Sequence, residues 1–505
     1  MFFLIVIFIT IFLSFGAIAE VILEPDNNII VRTKNESNLI SKITAPTKIF
    51  KSAEKFETNS AGKSTVRILK NKNAFSQNSS NLTFKEELDF KLGNALFRKL
   101  WVSSPASTIA SDGLGPIFNA RSCQRCHLKD GRGHPPKNSQ DNNVSLVMQL
   151  IRPEFDSSWV SEIEDYLGGI PDPKYGNQLQ EFTIAGIKAE GSFNVNYSNI
   201  PVKLSDGIIV ELQKPHYELT NLAYGKLNPQ TAISPRIAPQ MIGLGLLEAI
   251  ATSDIVSLTD PNDMDGDGVS GRANYVYSQD LNRIALGRFG LKATSATLKD
   301  QSAIAFSNDV GISTTLYPLG FGDCTEIQIA CLNRPDGNTN IHDNVEISDD
   351  ALDLVTFYSR NLAVPRRRDV SDPTVLKGKE IFYNIGCIAC HTPKFVTNRL
   401  KNDSAQSFQL IWPYSDMLLH DMGVGLADGA TAARATGNEW RTSPLWGIGL
   451  TKQVSGHTRF LHDGRARNLL EAILWHGGEA LSARNEVVKL AREERDALLK
   501  FLGSL

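Results

Sequence analysis

The chain opens on an apolar run from Met1 to about Phe15, closed by Ala17-Ile18-Ala19 ahead of Glu20. A small-x-small cleavage signal behind such a run predicts a signal peptide over residues 1–19. No Lys or Arg precedes the run, so an uncleaved membrane anchor is the alternative. The run is, however, shorter than the roughly 18–20 residues of a spanning helix. Residues 20–83 are rich in Asn, Ser, Lys and Thr with little periodicity, and read as a polar, weakly ordered arm. Its second half could equally wrap on a domain surface.

Order begins near Phe84. Leu88, Leu92, Leu96 and Leu100 recur every four residues with Phe97 beside them, which predicts an amphipathic helix bearing that apolar face. Gly93 and Phe97 in this helix make a G-x-x-x-F pattern that returns at Gly378 and Phe382. Residues 131–367 are irregular, with Gly-, Asp- and Pro-rich turns, a strand-like run from Val144 to Leu150 and a helical stretch from Met241 to Ile250. Val487, Leu490, Ala491, Leu498 and Leu502 then mark a closing helix.

Composition changes this picture little. The chain is 42% hydrophobic and 21% charged, enough apolar residue for a substantial core. A net charge of −3 gives no reason to expect a nucleic acid or an anionic membrane as partner. The cysteines change it a great deal. Four of the six fall in two C-x-x-C-H motifs, Cys123-Gln124-Arg125-Cys126-His127 and Cys387-Ile388-Ala389-Cys390-His391. Two thiols three residues apart can reach both vinyl groups of one porphyrin, and the adjacent imidazole then lies under the ring as an axial ligand. A zinc site from the same ligands is the alternative. The export signal favours two covalently bound c-type haems. It also favours a local disulfide between the remaining pair, Cys324 and Cys331.

A cytochrome c domain begins with a helix whose glycine admits a second helix. The expected fold is therefore mainly α: two cytochrome c-like haem domains, the first with a long loop-rich elaboration and a few short strands. Residues 84–370 form the first and residues 371–505 the second. Cys387 follows Gly378 by nine positions, whereas Cys123 follows Gly93 by thirty, so the first copy carries an insertion from Ser103 to Phe118.

Longer strings carry a family resemblance. They are Gly113-Leu114-Gly115-Pro116-Ile117-Phe118-Asn119-Ala120, Asp130-Gly131-Arg132-Gly133, the stretch from Ala238 to Ile250, Leu419-His420-Asp421-Met422-Gly423, and Gly456 to Ala466 leading into Trp475-His476-Gly477-Gly478-Glu479-Ala480. Together they resemble the bacterial di-haem oxidoreductases, a family related to the di-haem cytochrome c peroxidases. The resemblance implies that His127 and His391 are proximal ligands. It also implies that the N-terminal haem is peroxidatic and that the C-terminal haem passes electrons to it. In related enzymes the distal ligand of the C-terminal haem stands fourteen residues beyond the His of an H-D-G motif, as Met or Tyr. From His462 that ruler lands on His476, with Met422 as the other candidate. For the N-terminal haem, His134 is too close to His127 to swing to the opposite face, and His216 reads as a surface histidine. An open distal position is expected there.

Related peroxidases supply a Gln and a Glu for proton transfer, and Gln240 and Glu248 are the nearest match. The alternative for Glu248 is a helix-surface charge or a salt bridge with Arg236. Asp263, Asp265 and Asp267 stand at alternate positions, with Gly266 and Gly268 permitting a tight turn, as in calcium loops, although Asn274 stands where an EF-hand wants Glu. Calcium and a plain acidic turn are both open readings.

The expected function is a periplasmic di-haem peroxidase taking electrons from a small donor, a cytochrome c or a cupredoxin, and reducing hydrogen peroxide. Two rivals stand beside it. One is a di-haem oxidase or oxygenase acting on an organic or protein substrate; the other is an electron carrier with both irons six-coordinate.

Overall fold

The computed structural model describes Glu24 and residues 29–108, 111–138, 141, 145–152, 166, 168–402 and 404–505. The expected signal peptide and Val144, the first residue of the expected strand, lie outside them.

Two helical modules repeat one plan. In the first, helix α1 (Phe84–Arg98) starts at a Thr83–Glu86 capping box. Helix α2 (Leu298–Ala305) starts at a second such box, Thr297–Asp300, and α3 (Asp349–Arg360) is capped by Ser348. In the second module, α4 (Pro373–Asn384) is capped by Asp372, α5 (Leu469–Leu474) by Asn468, and α6 (Arg492–Ser504) closes the chain. The opening helix crosses the closing one in each module, α1 on α3 and α4 on α6. At both crossings a glycine is what permits the approach. A Cβ on Gly93 would strike the Leu354 carbonyl, and one on Gly378 would strike the Ala497 carbonyl. Helix α2 packs on α3 as α5 packs on α6.

The apolar face of α1 differs from the expected one. Leu88, Leu92 and Leu100 are 44%, 55% and 53% exposed, whereas Phe90 and Phe97 are 6% and 3% exposed and Gly93 is buried. Phe90, Gly93 and Phe97 share a stripe at helical spacing, and close contact with α3 at Gly93 fixes that stripe inward. Leu100 lies beyond the helix end.

Beside the expected helices the described residues carry substantial strand, so the fold mixes helix and strand. The expected strand-like run is β1 (Leu146–Arg152), which pairs antiparallel with β4 (Ala232–Ile237) in register Leu146 to Ile237. Between them stands a long hairpin, β2 (Ser192–Lys203) with β3 (Ile209–Thr220), whose pairing runs from Ser192–Thr220 to Lys203–Ile209. Its sequence signal is the alternation Phe193, Val195, Tyr197 against Asn194, Asn196, Ser198, closed by Asp206-Gly207 with Gly207 at positive φ. Near its tip, Leu204 and Leu212 pack with Trp440, Leu474 and Trp475, so the hairpin ties the middle region to the second module.

Residues 50–83 take the wrapped alternative and enter the interior. Ala61, Ala74 and Phe75 are fully buried in a core shared with Ile242, Leu246, Phe395, Met417 and Trp446. Glu57 pairs with the buried Arg367 and, at 2.9 Å, with Lys379 of α4. Cys324 and Cys331 form a disulfide with Cα atoms 6.0 Å apart. Among the described residues no helix is long and apolar enough to cross a membrane.

Candidate functional site: one cavity with two C-x-x-C-H motifs

Both C-x-x-C-H motifs open on a single cavity of about 700 Å³. Cys123–Cys126 is one helical turn and Cys387–Ala389 one tight turn. Their four thiols are unbridged, and burial pushes Cys123 and Cys387 up to about 12.

The two imidazoles are held alike. His127 Nδ1 donates to the Pro239 carbonyl at 2.8 Å, and His391 Nδ1 donates to the Tyr414 carbonyl at 2.9 Å. A carbonyl only accepts, so Nδ1 carries the proton and Nε2 keeps its lone pair for a metal. Burial lowers both histidines to about 4, which leaves them neutral and ready to ligate at neutral pH. The aromatic support repeats as well. Phe97 lies 6.2 Å from the His127 ring at 50°, and Phe382 lies 6.1 Å from the His391 ring at 51°. The phenylalanine of each G-x-x-x-F pattern thus buttresses the histidine of its own motif.

A third imidazole has the same set. His476 lies two residues past α5 on the cavity wall, and its Nδ1 donates to the Ala472 carbonyl at 2.7 Å. Burial lowers its pKa, and its positive form would in turn disfavour that of His391. Met422 also reaches the wall. The other cavity histidines are engaged differently. His420 is clamped between Asp416 (2.7 Å) and Glu479 (2.6 Å), with Cys390 Sγ 3.5 Å away. Both carboxylates accept, so His420 carries two protons; against its burial, Asp416 and Glu479 raise its pKa. His462 stacks on Trp440 with ring centroids 4.0 Å apart. His134 and His216 do not line the cavity: His134 faces Asp141 at 3.6 Å and His216 meets Ser198 at 2.7 Å.

The expected proton-transfer pair separates. Gln240 lines the cavity and donates to the Trp446 carbonyl at 2.6 Å. Glu248 is not on the wall. Its carboxylate pairs with Arg360 at 2.5 Å and accepts from the Leu298 N–H at 2.8 Å, which secures the start of α2. The salt-bridge alternative thus holds with Arg360 rather than Arg236. The acidic loop also gathers differently. Asp260, Asp263 and Asp265 bring their oxygens within 4.8 Å of one another, while Asp267 turns to the cavity wall and accepts from the Val269 N–H. Backbone N–H groups of the same loop already bond Asp260, Asp263 and Asp265.

Sequence reasoning missed the cavity's cations. Arg132, Arg236 and Arg484 reach the wall, and Arg132 Nε, Arg236 Nη2 and Arg484 Nε are buried without a hydrogen-bond partner. Buried guanidinium N–H groups left unbonded are costly and call for an acceptor. The propionates of haem are acceptors of that kind. Together with two thiol pairs and neutral imidazoles on an apolar wall, they make the residues present a fit for two haems. Arg132, in the Asp130-Gly131-Arg132-Gly133 string, was the nearest sequence signal.

Comparison with protein families bears this out. The family described as di-haem oxidoreductase, putative peroxidase, matches residues 55–505, and the chain belongs to it. No curated protein matches the chain.

Proposed function

We propose that this chain is an exported di-haem c-type cytochrome that reduces hydrogen peroxide at its N-terminal haem. It is built as two cytochrome c-like modules, residues 84–370 and 371–505. Electrons would come from a small periplasmic donor, a cytochrome c or a cupredoxin, and enter through the second module. When bound, the haems supply the electron-transfer chemistry and the iron that meets peroxide.

The observation that carries this reading is the unequal provision for the two proximal histidines. His391 shares its wall with His476, whose Nε2 is left free for a metal by the Nδ1 bond to Ala472. Cys123, Cys126, His127, Cys387, Cys390 and His391 would hold the two groups, with His476 as sixth ligand in the second module. No fourth cavity histidine with this arrangement stands near His127 among the described residues. A six-coordinate centre suits electron passage and an open one suits a substrate. The Arg132 and Arg236 guanidiniums would hold propionates, and Phe97 and Phe382 would keep the imidazoles in place. Calcium binding in the acidic loop forms no part of this reading.

The test is steady-state peroxide turnover by the haem-loaded protein with a reduced cytochrome donor. Donor oxidation should depend on peroxide and vanish in a His127→Gly variant. Donor oxidation that is independent of peroxide rejects the reading.

A further inference from the structure

We propose that Asp309, held by Gln178, is the acid–base group of the N-terminal haem pocket. This rests on the peroxidase reading above and supplies the proton-handling residue that Glu248, bound to Arg360, does not.

Placement is the first argument. The two modules share a plan, and in the second His476 stands two residues past α5, on the cavity wall. In the first, α2 occupies the matching place against its closing helix. Its end runs into one π-helical turn, Phe306–Val310, that carries Asp309 to the same cavity. Single π turns inside helices often mark functional positions, because the extra residue re-aims a side chain. Asp309 therefore takes, in the first module, the place after the helix that His476 takes in the second. It lines the same cavity as His127 and lies close enough to the Cys123 and Cys126 thiols for its charge to act on them.

Its partners are the second argument. Asp309 Oδ1 accepts from Gln178 Nε2 at 2.8 Å, and Gln178 is itself fixed by Asn119 Oδ1 at 2.7 Å and the Asn308 carbonyl at 3.0 Å. No cation pairs with Asp309 among the described residues. The titratable groups around it are the Cys123 and Cys126 thiols, which feel its charge, and Asp323, which accepts from the Gln178 backbone N–H at 3.0 Å. Haem attachment turns both thiols into thioethers that no longer titrate. Burial raises the Asp309 carboxyl to about 6, opposed by the Gln178 bond, so it is mostly ionised at neutral pH yet easily protonated.

The step is balanced. The Asp309 carboxylate takes the proton from one peroxide oxygen and returns it to the other. That oxygen leaves as water when the O–O bond breaks. The remaining oxygen atom becomes a second water on receiving two electrons from the donor and two protons from solvent.

The test follows cyanide binding to the oxidised, haem-loaded full-length protein by its absorbance change across pH, because hydrogen cyanide must surrender a proton to a pocket base as it binds. The wild-type rate should rise through an inflection at about pH 6. Asp309→Asn should lose the inflection and bind roughly 100-fold more slowly, with a matching fall in kcat/KM for peroxide. Asp309→Glu should recover part of both. Gln178→Leu removes the donor that favours the charged carboxylate and should move the inflection upward. A wild-type profile in Asp309→Asn overturns the assignment. If that variant does not load haem, an unmoved inflection in Gln178→Leu overturns it instead. A wild type that shows the inflection without peroxide turnover keeps the pocket base and rejects the peroxidase reading.

Discussion

At the scale of single residues, the two C-x-x-C-H motifs were legible because a haem site of this type is local in sequence. The five residues of each motif carry their own geometry, and a helical or tight turn is all the fold must add. His476 was legible only through a family ruler, since its distance from His391 along the chain says nothing about approach. Asp309, Gln178 and the arginines with unbonded N–H groups were not read as site residues, because they converge on the cavity from separate elements, and only Arg132 stood in a string that carries the family resemblance. The His476 assignment makes a spectroscopic prediction. His476→Ala should convert the C-terminal haem from low-spin to high-spin. His476→Met should keep it low-spin at a higher reduction potential. Met422→Leu should leave the spectrum as it is; if instead Met422→Leu produces the high-spin signal, Met422 is the ligand.

At the scale of elements, periodicity located α1, β1 and the second half of the closing helix; Val487 belongs to a separate helix, and Leu490 and Ala491 to the break before α6. It also chose the wrong face of α1. Four leucines at every fourth position looked like a core stripe. The neighbouring helix decided otherwise, because only Gly93 lets the α3 backbone close in, and Phe90 and Phe97 share its side. Leucine on a helix surface is tolerated, so spacing alone could not rank the two stripes. The repeated glycine contact yields a stability prediction. Gly378→Ala should gain about 1 kcal/mol of helix propensity. The collision with the Ala497 carbonyl should cost more, through overpacking of roughly 1–3 kcal/mol or above. A net fall in the denaturant midpoint is expected, whereas Leu92→Ala on the exposed face should change it little. A Gly378→Ala variant as stable as wild type would show that the two helices can part without cost.

At the scale of the whole molecule, a mainly α protein was expected and a mixed one is found. The β2–β3 hairpin carried a readable alternation and an Asp-Gly turn, but its role, bracing the middle region against Trp440 and Trp475, depends on contacts more than 200 residues apart. Residues 50–83 were equally hard to read, since their polar composition hides the few residues that matter. Glu57 is one of them, 1% exposed between Arg367 and Lys379. Burial alone would raise its carboxyl, yet these two cations hold it below the ordinary value. A depressed folded pKa stabilises above the unfolded value, about 4.3, and that stability is lost as pH falls through the folded pKa. Glu57→Gln should therefore lower the unfolding free energy at pH 7 by about 3 kcal/mol, since it leaves the buried Arg367 without a carboxylate while Lys379 keeps Glu54 at 2.8 Å. The difference from wild type should shrink in denaturant titrations below about pH 4. A deficit that stays constant down to low pH would contradict the ion-pair account.

The central claim is that the two haem sites are unequal, one closed by His476 and one open beside Asp309. The electronic spectrum of the oxidised two-haem protein tests it most directly, read before and after cyanide. One low-spin and one high-spin haem are predicted, with a single equivalent of cyanide taken up by the high-spin one. Two low-spin haems in every redox state, with no cyanide uptake, would contradict it and leave the molecule an electron carrier.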